Sequence, residues 1–267
     1  MLSLVVCVKA VPDPKEADKI RMDPVTKSLP RHAIPLVINT LDRNALEAAL
    51  QLKETGDAHI TVISMGPPPA GNVLKECLAL GADVGILLSD PAFAGADAYA
   101  TAYTLAKAIE KLSPVDCVFC GRASSDGATE WVGPELATFL DMPVVTMVRE
   151  IIETKEGNWV VKADFENGYR LVSVKLPSVL TVTKNINNPR TLSFSGIIKA
   201  RKKEITTWGL KELGLQAESV GLTGSPTIVT DMTPIESRRE AEILQGSLQE
   251  KVEGLVEILS NAGVVNE

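Results

Sequence analysis

The stretch Cys120-Gly121-Arg122-Ala123-Ser124-Ser125-Asp126-Gly127-Ala128-Thr129-Glu130-Trp131-Val132-Gly133-Pro134 joins two segments of different character. Before it, Val115-Asp116-Cys117-Val118-Phe119 is a short apolar run with the pattern of a buried strand. After it, Glu135-Leu136-Ala137-Thr138-Phe139-Leu140 reads as a helix. A strand that gives way to small and hydroxylated residues and then to a helix is how α/β proteins hold phosphates. Glycines let the backbone approach, and free N–H groups at the helix start face the anion. The spacing is neither the dinucleotide fingerprint GxGxxG nor a Walker loop, so the motif indicates anion binding without naming the ligand.

Outward from this stretch the same alternation continues. Strand-like runs at 2–9, 59–65, 84–88, 115–120 and 144–148 alternate with helical patterns at 43–54, 72–80, 98–112 and 129–140. Such alternation predicts βαβ units: an α/β, three-layer, Rossmann-like nucleotide-binding domain with a mostly parallel sheet. Ligands of these sheets bind beyond the carboxyl ends of the strands. The segments after Lys9, Met65, Leu88 and Cys120 therefore line one rim. Beyond Glu150 the apolar period becomes two, at 151–154, 159–165 and 170–174, with Asn167-Gly168 as a hairpin signal. This predicts a β-meander extension, followed by one more strand at 179–182.

From Asn185 to Gly246 the chain reads as extended and polar. Residues 247–261 then form an amphipathic helix with apolar Leu248, Val252, Leu255, Val256 and Leu259. The expected division is 1–184 as the nucleotide-binding domain and 185–267 as a C-terminal arm ending in a helix. The arm either docks on another chain or folds back on its own domain. A polar loop at 14–31 is longer than a βα turn requires.

The 267 residues suit one large α/β domain with appendages, and the net charge of −7 argues against nucleic acid as a partner. No apolar run has the length of a membrane span, and the N-terminus enters a strand without a cleavable signal pattern, so a cytoplasmic location is expected. Cys117 and Cys120 are spaced C-x-x-C, but strand alternation puts them on opposite faces and no second pair completes a zinc site. Buried thiols are the expectation.

Individual residues carry more specific expectations. Gly66-Pro67-Pro68-Pro69-Ala70-Gly71 lacks the Walker lysine and hydroxyl, since Asn72 and Val73 follow, so it reads as a stiff ligand-facing turn. Asp42 suits the N-cap of a helix starting near Arg43. Asn39 is too far upstream for that cap, and its amide can pair with an adenine edge or a ribose hydroxyl. Ser124, Ser125 and Thr129 offer hydroxyls, and Arg122 can neutralise a pyrophosphate. Asp126 would repel one, and so suits a sugar hydroxyl or a helix cap. Trp131 and His59 read as packing residues. His32 and His59 are too few and too far apart for a metal centre, and no catalytic constellation stands out.

Taken jointly, several motifs resemble the beta subunit of an electron-transfer flavoprotein: Val8-Lys9-Ala10-Val11-Pro12-Asp13, the box from Asn39 to Glu47, Met65-Gly66-Pro67, Gly95-Ala96-Asp97, the Gly121 to Pro134 loop, Leu176-Pro177-Ser178, and Asn188-Pro189-Arg190. The resemblance implies a heterodimer with an alpha subunit that carries an FAD. The beta subunit itself holds AMP in simple members and a second FAD in electron-bifurcating ones. Carried over by position, the cofactor contacts are Cys7, Lys9, Asn39, Thr40, Leu41, Asp42, Met65, Gly121, Arg122, Ala123, Ser124, Ser125, Asp126, Gly127, Ala128, Thr129, Glu130, Trp131 and Val132. The insertion with Asp23-Pro24-Val25-Thr26-Lys27, together with Phe93-Ala94-Gly95-Ala96-Asp97, resembles the bifurcating branch and favours FAD over AMP. Ala98, where that branch often has Thr, and Ala123-Ser124-Ser125, in place of Gln-Ala-Ile, depart from it. In that branch NADH is the electron donor, and ferredoxin and an acyl-CoA or 2-hydroxyacid dehydrogenase are the acceptors. The same resemblance places a dehydrogenase anchor at Phe194, flanked by Leu192, on a loop after the Asn-Pro-Arg motif.

Overall fold

A computed structural model describes residues 1–19, 35–155, 157–230, 241 and 243–264. The Asp23–Lys27 insertion and His32 lie outside these residues. In chain order the principal elements are β1 (Leu2–Cys7), β2 (Ala10–Pro12), β3 (Leu36–Ile38), α1 (Thr40–Thr55), β4 (Ala58–Met65), α2 (Gly71–Leu80), β5 (Val84–Leu88), α3 (Ala98–Leu112), β6 (Cys117–Gly121) and α4 (Val132–Phe139). They continue with β7 (Val144–Lys155), β8 (Asn158–Phe165), β9 (Gly168–Lys175), β10 (Ser178–Val182), α5 (Phe194–Arg201), β11 (Ile205–Trp208), α6 (Leu210–Leu213) and α7 (Leu248–Asn261).

Nine strands form one sheet in the order β11-β5-β4-β1-β6-β10-β7-β8-β9, while β2 and β3 pair antiparallel beside it. Strand β1 shows why the sheet is covered on both faces. Leu4 and Val6 join a core with α1 and α2, whereas Val5 and Cys7 join a second core with α3 and α4. Successive side chains alternate across a strand, so an unbroken apolar run needs helices on both sides. Cys117 and Cys120 fall into these two cores in the same way, and all four cysteines are buried free thiols.

The structure moves several expected boundaries. Helix α1 begins at Thr40, with Asn39 in the N-cap position, so Asp42 belongs to its first turn and is not the cap. Helix α4 begins at Val132, three residues later than its apolar pattern suggests. Ala128 and Glu130 have φ of 49° and 62°, and that left-handed backbone cannot join a helix. The runs at 144–148 and 151–154 are one strand, β7. Its first part pairs parallel with β10 and its second antiparallel with β8, with a register shift opposite Leu180–Val182. Met147, with φ of 60°, lies in the shifted stretch, as in a bulge.

The polar segment after Asn185 is not simply extended. Helix α5 forms there, and β11 pairs parallel with β5 to extend the sheet. Neither shows a clear apolar period, because α5 buries Ala200 alone and β11 is a half-buried edge strand. Met1–Thr230 form one compact unit, and residues from Asp231 a second. In the second, α7 is started by a reciprocal cap between Ser247 and Glu250. Its Leu248, Val252, Leu255 and Val256 are exposed. Among the described residues no helix is long and apolar enough to cross a membrane.

Candidate functional site

Strand β1 lies between β4 and β6. The chain builds β4 and β5 on one side of it, then crosses to place β6 on the other. The carboxyl ends of β1 and β6 thus flank the point where the direction of winding reverses, which is where such sheets open a crevice. Cys7 and Cys120 are register partners at this point, buried directly beneath it.

One carboxylate ties the two strand ends together. The backbone N–H of Lys9 donates to Asp42 Oδ2 at 2.7 Å, and that of Gly121 to Asp42 Oδ1 at 3.0 Å. Gly121 is required here, because a Cβ would stand 2.7 Å from the Leu41 carbonyl carbon and 2.8 Å from the Asp42 nitrogen. Burial pushes the Asp42 carboxyl up to about 7, against the pull of the Lys9, Asn39 and Gly121 hydrogen bonds. Asn39 holds the next part of the loop. Its Nδ2 donates to the Ala123 carbonyl at 2.8 Å, and its Oδ1 accepts from the Ser125 N–H at 3.1 Å. The Asn39 amide is thus spent on shaping the loop, not held free toward a base.

Lys9 crosses the crevice. Its ammonium donates to Asp126 Oδ1 at 2.7 Å and lies 3.3 Å from Ser124 Oγ. Burial works against the Asp126 charge, but the Lys9 ammonium more than offsets it and holds the carboxyl below its usual range. Ser124 turns the loop by accepting from the N–H groups of Gly127 (3.3 Å) and Ala128 (2.9 Å). Arg122 is anchored through its N–H to Val182, and its Nε lies 3.2 Å from Glu130 Oε1 without the aim of a hydrogen bond. Both Lys9 and Arg122 therefore face a carboxylate already.

Met65 ends β4 and, with Lys9, Pro12, Leu36, Pro67 and Asn72, lines a cavity of about 300 Å³ beside the loop. The proline-rich turn after Met65 forms part of that wall, while Thr40 is exposed and Leu41 half-buried in the first turn of α1. Thr129 accepts weakly from the Trp131 N–H at 3.5 Å, and Val132 opens α4. Trp131 is 63% exposed, which corrects its reading as a packing residue. The indole stands at a turn made by left-handed Glu130, which keeps it off the core. His59 is also half-exposed, 3.7 Å from Asp83.

These donors fit a nucleotide phosphate. The loop carries three hydroxyls, and the Lys9 ammonium reaches it from beyond the end of β1. Among the described residues, the N–H groups of Ala123, Ser124, Thr129 and Glu130 have no hydrogen-bond partner. Leu192 and Phe194, 40% and 80% exposed, belong to the segment that opens α5 and take no part in the crevice. Sequence reasoning missed Asn44 and Glu47 on α1, which bind Asn187 and Arg190. The available signal is a repeat: Asn-x-x-Asp from Asn39 is followed by Asn-x-x-Glu from Asn44.

Comparison with known proteins agrees with this geometry. The family model described as the electron transfer flavoprotein domain matches residues 26–213. The electron transfer flavoprotein subunit beta of Thermoanaerobacterium thermosaccharolyticum is 44% identical over 265 residues, covering 99% of this chain and 100% of that protein. The caffeyl-CoA reductase-Etf complex subunit CarD of Acetobacterium woodii is 42% identical, with 95% of each chain covered. The acryloyl-CoA reductase electron transfer subunit gamma of Anaerotignum propionicum is 37% identical, covering 99% of this chain and 100% of its own.

Proposed function

Since the chain belongs to the electron-transfer flavoprotein family as a beta subunit, we propose that its crevice holds an FAD and carries electrons from NADH to the FAD of an alpha subunit. From there they pass to an acyl-CoA or 2-hydroxyacid dehydrogenase, with ferredoxin as the second acceptor of a bifurcating reaction. The observation that carries this reading is the loop at the β1–β6 crevice, held open by Asp42 and Asn39 with backbone N–H groups still to be satisfied. The FAD supplies the redox chemistry when bound. The protein's part is to bind and orient it. Lys9, the free amides and the hydroxyls of Ser124, Ser125 and Thr129 take the phosphates, and Asp126 suits a sugar hydroxyl. The names of the two reductase-associated relatives support an acyl-CoA-type dehydrogenase as partner. Phe194, with Leu192, is its anchor, and the exposed stripe of α7 docks on the alpha subunit. The setting is cytoplasmic.

Cofactors released from the purified heterodimer decide between FAD and AMP. Two FAD per heterodimer are expected, and one FAD with one AMP overturns the bifurcating reading. Gly127→Val places a branched side chain where a Cβ already stands 3.3 Å from Ser124 Oγ and 3.8 Å from Lys9 Nζ. It should remove one FAD while leaving the far-ultraviolet circular dichroism unchanged.

A further inference from the structure

We propose that Arg190 is a positioning residue for partner recognition, clasped to Glu47 so that Phe194 leaves the fold in one fixed direction. The inference rests on the reading of Phe194 as the dehydrogenase anchor. Arg190 meets Glu47 with a two-pronged contact, Nε to Oε2 at 2.8 Å and Nη2 to Oε1 at 3.0 Å, and its backbone N–H adds a third bond to Oε2 at 3.1 Å. Its remaining prong, Nη1, reaches Glu54 at 2.7 Å. Just upstream, Asn44 Nδ2 donates to the carbonyl and side-chain oxygens of Asn187, both at 3.0 Å, and Asn187 Nδ2 donates back to the Asn44 carbonyl at 3.0 Å. Two consecutive turns of α1 thus grip residues 187–190.

The grip matters because side-chain burial does little to hold this part of the chain. No residue between Thr183 and Ala200 is buried, so apolar packing contributes little there. Four residues after Arg190, Phe194 opens α5, with Ser193 as its cap through a 3.0 Å bond from the Gly196 N–H. Gly196 lies so close to the Ala79 carbonyl at the end of α2 that a Cβ would collide with it. The anchor therefore sits at the root of a helix tied on one side by Arg190 and on the other by Gly196, and not on a mobile loop. An exposed aromatic on a fixed backbone loses little freedom on binding, which lets a small contact give usable affinity. A planar fork on a carboxylate fixes direction as well as distance, and a lysine keeps only the charge.

The test uses the cofactor-loaded heterodimer with a purified short-chain acyl-CoA dehydrogenase as electron acceptor. Arg190→Gln leaves the Glu47 charge unpaired, so Arg190→Gln with Glu47→Gln is measured beside it, together with Arg190→Lys and Phe194→Ala. Both Gln variants should raise KM for the dehydrogenase about tenfold. Rate at saturation, cofactor content and dye reduction should be unchanged, while amide exchange at 191–197 quickens. Arg190→Lys should recover much of the KM. Faster exchange with unchanged KM in the double variant, while Phe194→Ala raises KM, overturns the positioning role and leaves the anchor intact. An unchanged KM in Phe194→Ala overturns the anchor and this inference with it. Loss of fold or cofactor in the double variant assigns the clasp to stability and overturns its role in recognition.

Discussion

Helix α1 grips two distant parts of the chain with side chains at the same spacing. At its start, Asn39 and Asp42 hold the crevice loop at 121–125. One turn further on, Asn44 and Glu47 hold the segment at 187–190. In each pair an amide binds neighbouring backbone and a carboxylate three residues later completes the hold. The difference lies in what faces the carboxylate. Asp42 is bonded by neutral groups, the N–H of Lys9 and Gly121 and the Asn39 side chain, and the Lys9 charge acts on it without a direct ion pair, so burial prevails and its carboxyl rises to about 7. Glu47 receives a guanidinium, which supplies both the hydrogen bonds and the opposite charge. The pair at the crevice binds without filling the site with positive charge, and the pair at residues 187–190 fixes geometry by charge.

The most damaging way to break the first hold is Gly121→Ala. The new methyl meets the Leu41 backbone and the Asp42 carboxylate, and the backbone must move or the Asp42 bond must break. A loss of about 4–5 kcal/mol in urea unfolding is expected, since overpacking and a broken buried network act together. A loss below about 1 kcal/mol, the range of an ordinary surface change, would mean the clamp is not tight.

Next in size is the effect of pH on Asp42. Its folded value, about 7, lies above the ordinary 3.8. The contribution to stability is therefore fully present below about pH 4 and is lost as pH rises through 7. At about 1.4 kcal/mol per unit, the fall is roughly 3–4 kcal/mol across that window. The unfolding free energy of wild type minus that of Asp42→Asn, taken at about pH 4.5 and about pH 7.5 to bracket the window, isolates it. Parallel profiles for the two proteins would refute the uncompensated burial.

The smallest effect sharpens the comparison most. Asn39→Ala and Asn44→Ala should each cost about 1–2 kcal/mol through lost hydrogen bonds. Only Asn39→Ala should also weaken cofactor binding, measured by flavin titration of the cofactor-stripped protein. Equal weakening by both would show that the two holds are not separate in function.

The parallel sheet is legible in the sequence because its strands are covered on both faces and carry unbroken apolar runs. The crevice is legible by position, since Lys9, Met65 and Gly121 stand at strand ends. The start of α1 is not, because Asn39 and Asp42 are both acceptable cap residues, and it is the bond from the Arg43 N–H to the Asn39 carbonyl that makes Asn39 the cap. Trp131 misleads because an aromatic beside a helix is ordinarily core, whereas left-handed Glu130 redirects the chain before it. Helix α5 and β11 bury too little to leave a period. The Asn44–Asn187 and Glu47–Arg190 pairings span 143 residues, and the repeat of Asn39-x-x-Asp42 in Asn44-x-x-Glu47 marks one side of them without naming the distant partners.

The crevice also has a place in time. Its wall joins Lys9 and Asp42 to Gly121, and the loop beyond is anchored through Arg122 to Val182. Contacts so far apart in sequence carry the loop-closure cost of the whole intervening chain before they return any stability. During synthesis the segments ahead of β6 can collect helices and strands without a site to show for them. The crevice closes only when β6 slots beside β1 and β10 beside β6, so competence to take up a cofactor arrives late, as a mark that the fold is complete.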